Sequence, residues 1–159
     1  MTAGRADQIL NVSLEAPMAV RRNPEIEHER QVALYDLMEE NSFQLAEGPE
    51  GPYNLHITAV EGRVILGVQD PAGAPLQNIS LPLSPFRKMI KDYHAVCDSY
   101  YDAIRTQTPQ QIEALERNRR ALHDEGADRL KERLCEKIQL DGNTTRRLFT
   151  LLCVLQARA

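Results

Sequence analysis

Arg119 and His123 stand four residues apart, a spacing that puts them on one face of a helix. With Arg120, Asp124 and Glu125 they make a dense polar block just ahead of Gly126. A guanidinium beside an imidazole suits a carboxylate or a phosphate. The guanidinium fork donates two parallel charge-assisted hydrogen bonds, and the imidazole changes protonation near neutral pH. Arg119 also falls on the seam Ile112, Leu115, Arg119, Leu122, Gly126, Leu130, where an apolar residue is expected. That position supports a plainer reading too, a structural arginine paired with an acidic side chain from the first half of the chain, because a buried arginine needs a partner.

The second polar cluster is Glu27-His28-Glu29-Arg30. Consecutive residues fan around a helix, so one or two of these at most face a common site, and a solvated acidic face is the simpler expectation. The anion-binding candidates are therefore Arg119, Arg120, His123 and Glu125, joined by His28 or His56 from the first half. In that set Arg119 clamps the anion and a histidine serves as general acid or base. No catalytic residue is assigned.

Metal binding has one candidate pair, His94 with Cys97 or Asp98, at spacings that place donors on adjacent helical turns. A second pair at ligand spacing is missing, so neither a metal nor another cofactor is expected. Tyr93, Tyr100 and Tyr101 read as aromatic core packing rather than a stacking platform. Arg117, Arg119, Arg120, Arg129, Lys131, Arg133, Arg146 and Arg147 could track phosphates, but Asp124, Glu125, Asp128, Glu132 and Glu136 are interleaved with them and cancel much of the field. Nucleic acid is disfavoured as a partner on that ground. The phosphate-loop, dinucleotide-fold, nucleophile-elbow, zinc-protease and CxxC signatures are all missing, which removes support from several large enzyme classes.

Positioning these residues requires an α+β chain. Gln8 to Leu14 alternates weakly and reads as a short strand inside an N-terminal segment, 1–22. Asn23-Pro24-Glu25 is a helix start, an N-cap followed by proline and acid, and predicts a helix over 23–41. Residues 42–83 form the sheet region. Ser42 to Ala46 and Tyr53 to Val60 read as a strand pair, and Arg63 to Gln69 and Leu76 to Leu83 follow across short Glu61-Gly62 and Asp70-Pro71-Ala72-Gly73 turns. Such short connections predict a small antiparallel sheet of about four to five strands.

The helical half covers 84–159. Ser84-Pro85 opens a helix whose apolar positions keep the 3.6 period for five turns. Thr108-Pro109-Gln110-Gln111 is a capping box that opens the next, with Gly126 the expected point of a kink or break. After Ile138-Gln139-Leu140, Asp141-Gly142-Asn143 turns or caps before a last helix from Thr144 to about Gln156, apolar over most of its circumference and so expected to be buried. About four helices pack on the sheet, in one domain over 1–159.

Bulk properties agree. The 159 residues are 42% hydrophobic, enough for one core without disulfide or metal staples. The N-terminal stretch has no continuous apolar core of the kind an export signal needs, and the longest apolar run, Leu148 to Leu155, is much too short to span a bilayer. Three unclustered cysteines, Cys97, Cys135 and Cys153, fit reduced thiols in a cytoplasmic protein, and the three Asn-Xaa-Ser/Thr sequons are then chance matches. Residues through 83 carry 5 basic and 12 acidic side chains, and those from Ser84 onward carry 14 and 11. The halves can therefore complement each other when docked.

Seven motifs carry a resemblance. They are Glu27-His28-Glu29-Arg30, Gly51-Pro52-Tyr53-Asn54-Leu55-His56, Ser84-Pro85-Phe86-Arg87, Lys91-Asp92-Tyr93, Ser99-Tyr100-Tyr101-Asp102-Ala103-Ile104-Arg105, Arg119-Arg120-Ala121-Leu122-His123-Asp124-Glu125-Gly126 and Arg146-Arg147-Leu148-Phe149-Thr150-Leu151-Leu152-Cys153-Val154-Leu155. Together, from about Arg21 to Leu155, the chain resembles the bacterial uncharacterised protein family numbered 0262. The resemblance implies kinship without a particular reaction. It places His28, His56, Arg119, Arg120, His123 and Glu125 inside shared motifs and leaves His94 outside them.

The first functional expectation is a non-catalytic protein that presents a helical surface to another protein or to a second copy of itself. The alternative is an enzyme or small-anion binder with an Arg/His/Glu site, and the third reading is weak nucleic-acid binding. Convergence of the histidines around Arg119 in an open cleft favours the alternative; dispersal favours the first.

Overall fold

The computed structural model describes residues 6–15 and 24–156. Asn23, the expected N-cap, and residues 157–159 lie outside that range. In chain order the elements are β1 (Ile9–Glu15), α1 (Pro24–Glu39), β2 (Phe43–Leu45), β3 (Tyr53–Val60), β4 (Arg63–Gln69), β5 (Pro75–Pro82), a single 3-10 turn (Ser84–Phe86), α2 (Arg87–Thr106), α3 (Pro109–Leu134), β6 (Ile138–Leu140) and α4 (Gly142–Leu155). The chain is α+β.

Period-two alternation sets the main sheet. On β3, Tyr53, Leu55, Ile57 and Ala59 are buried, as are Val64, Leu66 and Val68 on β4 and Ile79 and Leu81 on β5. β3, β4 and β5 form the expected antiparallel meander, with Gly62 and Gly73 supplying the positive φ that each turn requires. β1 departs from the expectation of an all-antiparallel sheet: it lies beside β3 in parallel, giving the order β1-β3-β4-β5. The reason is the connection. A parallel neighbour needs a long crossover rather than a hairpin, and α1 lies between the two strands in sequence. Asn41 ties this junction together, its side chain accepting from the Ile9 amide and donating to the carbonyls of Ile9 and Leu37.

A second correction concerns β2. It pairs antiparallel with β6 in a separate two-stranded ladder, not with β3. Both strands are three residues long, too short for alternation to reveal a partner 95 residues away, from Phe43↔Leu140 to Leu45↔Ile138. β3 touches β2 through a side chain instead, the Tyr53 hydroxyl accepting from the Leu45 amide and donating to the Pro49 carbonyl.

The helices cover one face of the sheet. Ile57, Val64, Leu66 and Leu81 meet Leu130, Leu134, Leu148 and Leu152 from α3 and α4. α4 is buried as expected, from Thr144 and Thr145 through Leu148, Phe149 and Leu151 to Leu155. Asp141 caps it by accepting from the Thr144 amide at 2.8 Å. α3 starts on the predicted capping box and runs unbroken through Gly126. That glycine faces the Phe149 ring so closely that a Cβ would overlap it, so it serves the approach of α4. Among the described residues no helix is long and apolar enough to cross a membrane.

Candidate functional site

The four helices leave an open cleft of about 490 Å³ between them. α1 reaches it with His28, Glu29, Val32, Ala33 and Asp36, and α2 with Tyr93, Tyr100, Tyr101 and Ile104. α3 adds Glu116, Arg119, Arg120 and His123, and α4 adds Arg146, Arg147 and Thr150. The convergence follows from helical periodicity. Residues three or four apart share a face, so Glu116, Arg119, Arg120 and His123 line one stripe of α3, and Arg146, Arg147 and Thr150 one turn of α4.

Glu29 sits deepest. It falls in the buried row of α1 with Ile26, Ala33 and Leu37 and is 9% exposed. The Tyr93 hydroxyl donates to its Oε1 at 3.1 Å, the Cys97 thiol approaches the same oxygen at 4.0 Å, and Arg119 Nη1 lies 3.7 Å away, an ion contact longer than a hydrogen bond. Burial raises the Glu29 pKa above the ordinary carboxylate value, although Tyr93 and Arg119 oppose the shift. A carboxyl so placed tends to keep its proton. Burial likewise pushes Tyr93 up and Cys97 up to about 12, each with Glu29 as the next cause.

Arg119 is held from three directions. Its Nε and Nη2 form a fork on Glu116 at 2.9–3.2 Å, and its guanidinium carbon lies 5.0 Å from the centre of the Tyr100 ring. Partial burial works against its charge, but the Glu116 hydrogen bonds and the neighbouring Tyr93, Glu116 and Cys97 more than offset that. The expected pairing of Arg119 with an acid from the first half of the chain is present in its contact with Glu29, and on α4 Arg147 Nε approaches Asp36 Oδ2 at 3.4 Å. Arg120 shares Glu116 at 3.3 Å, and Arg146 Nη1 approaches Asp124 Oδ1 to 2.7 Å.

His123 completes the wall. Its ring packs edge-on to Phe149 and tilted to Tyr93, with centroids 5.3 and 5.5 Å apart. The Thr150 hydroxyl lies 2.6 Å from His123 Nε2 and 3.2 Å from the Arg146 carbonyl, within hydrogen-bond reach of both. Burial, with help from Arg146, lowers the His123 pKa from 6.5 to about 4, so the imidazole is neutral at pH 7.

Of the six anion-binding candidates, Arg119, Arg120, His123 and His28 line this cleft. Glu125 is exposed on α3 outside it. His56 points from the other face of the sheet, its Nδ1 2.5 Å from Ser13 Oγ and its Nε2 3.3 Å from Glu15. Period two explains the separation, because Leu55 and Ile57 on either side of His56 face the core. His94 Nε2 donates to the Cys153 carbonyl at 2.8 Å, and among the described residues no group of three or more His, Cys, Asp or Glu is gathered to hold a metal.

Glu29 was expected on a solvated face and is instead the buried centre of the cleft. Its signal was available, an acid at the i+3 position from Ile26 and i−4 from Ala33 and so on the apolar seam. Arg146, Arg147 and Thr150 were not among the anion-site candidates. Nothing in spacing joins them to α3 residues more than twenty positions earlier. All three tyrosines border the cleft; Tyr93 is core and Tyr101 packs against it, as expected, whereas Tyr100 is not part of the core.

Comparison with known proteins gives a consistent relationship. Residues 6–158 match the model of the Uncharacterised protein family (UPF0262). A UPF0262 protein of Rhodospirillum rubrum is 47% identical over 152 residues, 96% of this chain and 94% of its own length. One from Rhodopseudomonas palustris is 48% identical over 147 residues, 92% and 90% of the two chains, and one from Rhizobium meliloti is 44% identical over 158 residues, 99% of each. No solved structure matches the chain. With a family match over nearly its whole length and bacterial relatives at this identity, the chain belongs to the uncharacterised protein family UPF0262.

Proposed function

We propose that this protein binds a small organic anion, a carboxylate or a phosphate, in the four-helix cleft, with groups beside it that can exchange a proton with the ligand. The observation that carries the reading is the convergence of four arginines, the buried Glu29 and the neutral His123 on one cleft open to solvent. Four guanidinium groups line it against three carboxylates, Glu29, Asp36 and Glu116. The pairing carboxylates orient the guanidinium groups in advance, which lowers the ordering cost of binding. Burial pushes Glu29 up and His123 down, two titratable groups shifted in opposite senses in one site, a pattern that marks candidate proton-transfer sites.

The test is titration of the full chain with acetate and with inorganic phosphate at low salt, followed by amide chemical shifts. Saturable shifts confined to the cleft-lining stretches of the four helices, and weakened in Arg120→Gln, are expected. Shifts that are linear, scattered and indifferent to Arg120 would refute it. Arg120 is the better variant because its side chain is 63% exposed, whereas loss of Arg119 also disrupts a structural network.

A second reading, a helical surface for a protein partner or a second copy, draws on Tyr35, which is 65% exposed one turn beyond the exposed Val32 on α1. Light scattering over a concentration series tests self-association. Nucleic acid remains outside the proposal, because Glu113, Glu116, Asp124 and Asp36 engage Arg117, Arg119, Arg120, Arg146 and Arg147. The cysteines Cys97, Cys135 and Cys153 are free, which supports placing the protein in the reducing cytoplasm.

A further inference from the structure

The cleft has two unlike walls. α3 and α4 present the arginines together with Glu116, and α1 and α2 present an apolar patch of Val32, Tyr100, Tyr101 and Ile104 beside His28, Glu29 and Asp36. Val32 is 43% exposed and Ile104 49%, and they are two of only four large apolar side chains exposed among the described residues. Phosphate or acetate would engage the cationic wall and leave the apolar wall wet. A space of about 490 Å³ is also far larger than either ion fills, and is in the range that takes a drug-sized organic molecule.

We infer that the ligand is an amphipathic organic acid, its anionic head against the arginines and an aliphatic or aromatic body of at least several carbons across Val32, Tyr100 and Ile104. This rests on the anion-binding reading above and goes further by assigning the rest of the molecule. Tyr100 suits the boundary between the walls, since one ring stacks with Arg119 and also borders the apolar side. The ligand then lies with its charge beside Arg119 and Arg120 and its body toward the mouth, where Val32 and Ile104 are least covered. Burying the body removes apolar surface of both partners from water, the part of the binding energy an inorganic ion cannot supply.

The experiment is calorimetric titration of the full chain with acetate, butyrate, hexanoate, benzoate, hexyl phosphate and hexanol. The proposal predicts affinity rising about 3–4-fold for each added methylene from acetate to hexanoate, and hexanol binding at least 10-fold more weakly than hexanoate. In the Val32→Ser, Ile104→Ser variant, with folding checked by circular dichroism, the ratio of hexanoate to acetate affinity collapses toward one. Either hexanoate or hexyl phosphate as the tighter ligand supports the proposal and assigns the head group. If acetate binds in an Arg120-dependent way and hexanoate binds no more tightly, the amphipathic assignment is overturned while the anion site stands. If hexanol matches hexanoate, or no anion of any length binds, the anion site itself is overturned.

Discussion

The cleft and the outer face of the sheet each hold a histidine in contact with a hydroxyl, and each has acids nearby. His123 meets Thr150 at 2.6 Å and His56 meets Ser13 at 2.5 Å. Their surroundings differ. His123 lies between Phe149 and Tyr93 with four arginines lining the same cleft, while His56 is 36% exposed on a strand and faces a Glu15 that is 69% exposed. A side-chain constellation therefore says little about chemistry by itself. Burial suppresses one protonation state and a concave wall suits a ligand, and among the described residues the two coincide around His123 and not around His56.

The comparison is broken most severely through pH. The folded state holds His123 at about 4 against an ordinary 6.5, so the unfolded chain takes up more protons between those values. The stability contribution is fully present above pH 6.5 and is lost as pH falls toward 4, by up to about 3 kcal/mol. Urea unfolding at a series of pH values should show that loss, and His123→Gln should flatten it. Glu29 acts with the opposite sign. Its raised pKa gives a contribution present below 4.5 and lost as pH rises through the folded value, so Glu29→Gln should steepen the acid-side decline.

Next in size is Gly126→Ala, which pushes a methyl group into the Phe149 ring. A cost of about 2 kcal/mol is expected in denaturant unfolding despite the better helix propensity of alanine, and the His123 side of the cleft should show displaced amide shifts. Glu29→Ala should cost about 1–2 kcal/mol, because it strands the buried Tyr93 hydroxyl, and Glu29→Gln, which retains an acceptor, should cost less. The smallest effect belongs to the sheet face. His56→Ala should change stability by no more than about 0.5 kcal/mol, as exposed substitutions do, and leave anion titration unaltered. A loss of anion binding in that variant would erase the distinction between the two faces.

Much of the fold was legible because its signals are local. The capping box at Thr108, the Asp141 cap, the β3–β5 meander and the apolar circumference of α4 all follow from neighbours in sequence. The site was legible in part for the same reason. Arg119, Arg120 and His123 share a stripe of one helix and stayed together, and the acid expected opposite Arg119 is Glu29. Glu125 lies on another side of that helix, and His56 was misplaced because strand alternation sends it away from every helix.

Composition and periodicity determined the number and kind of the main elements, the buried last helix and the polar stripe of α3, since each depends on interactions a few residues long. Tertiary structure alone decided that β1 runs parallel to β3, that β2 finds β6, that Gly126 admits Phe149, and that Arg146 and Arg147 line one cleft with Glu29. Those outcomes depend on which apolar faces bury one another across long loops. Burial, of Glu29 on the apolar seam of α1 and of His123 against Phe149 and Tyr93, then gave the two their opposite shifts.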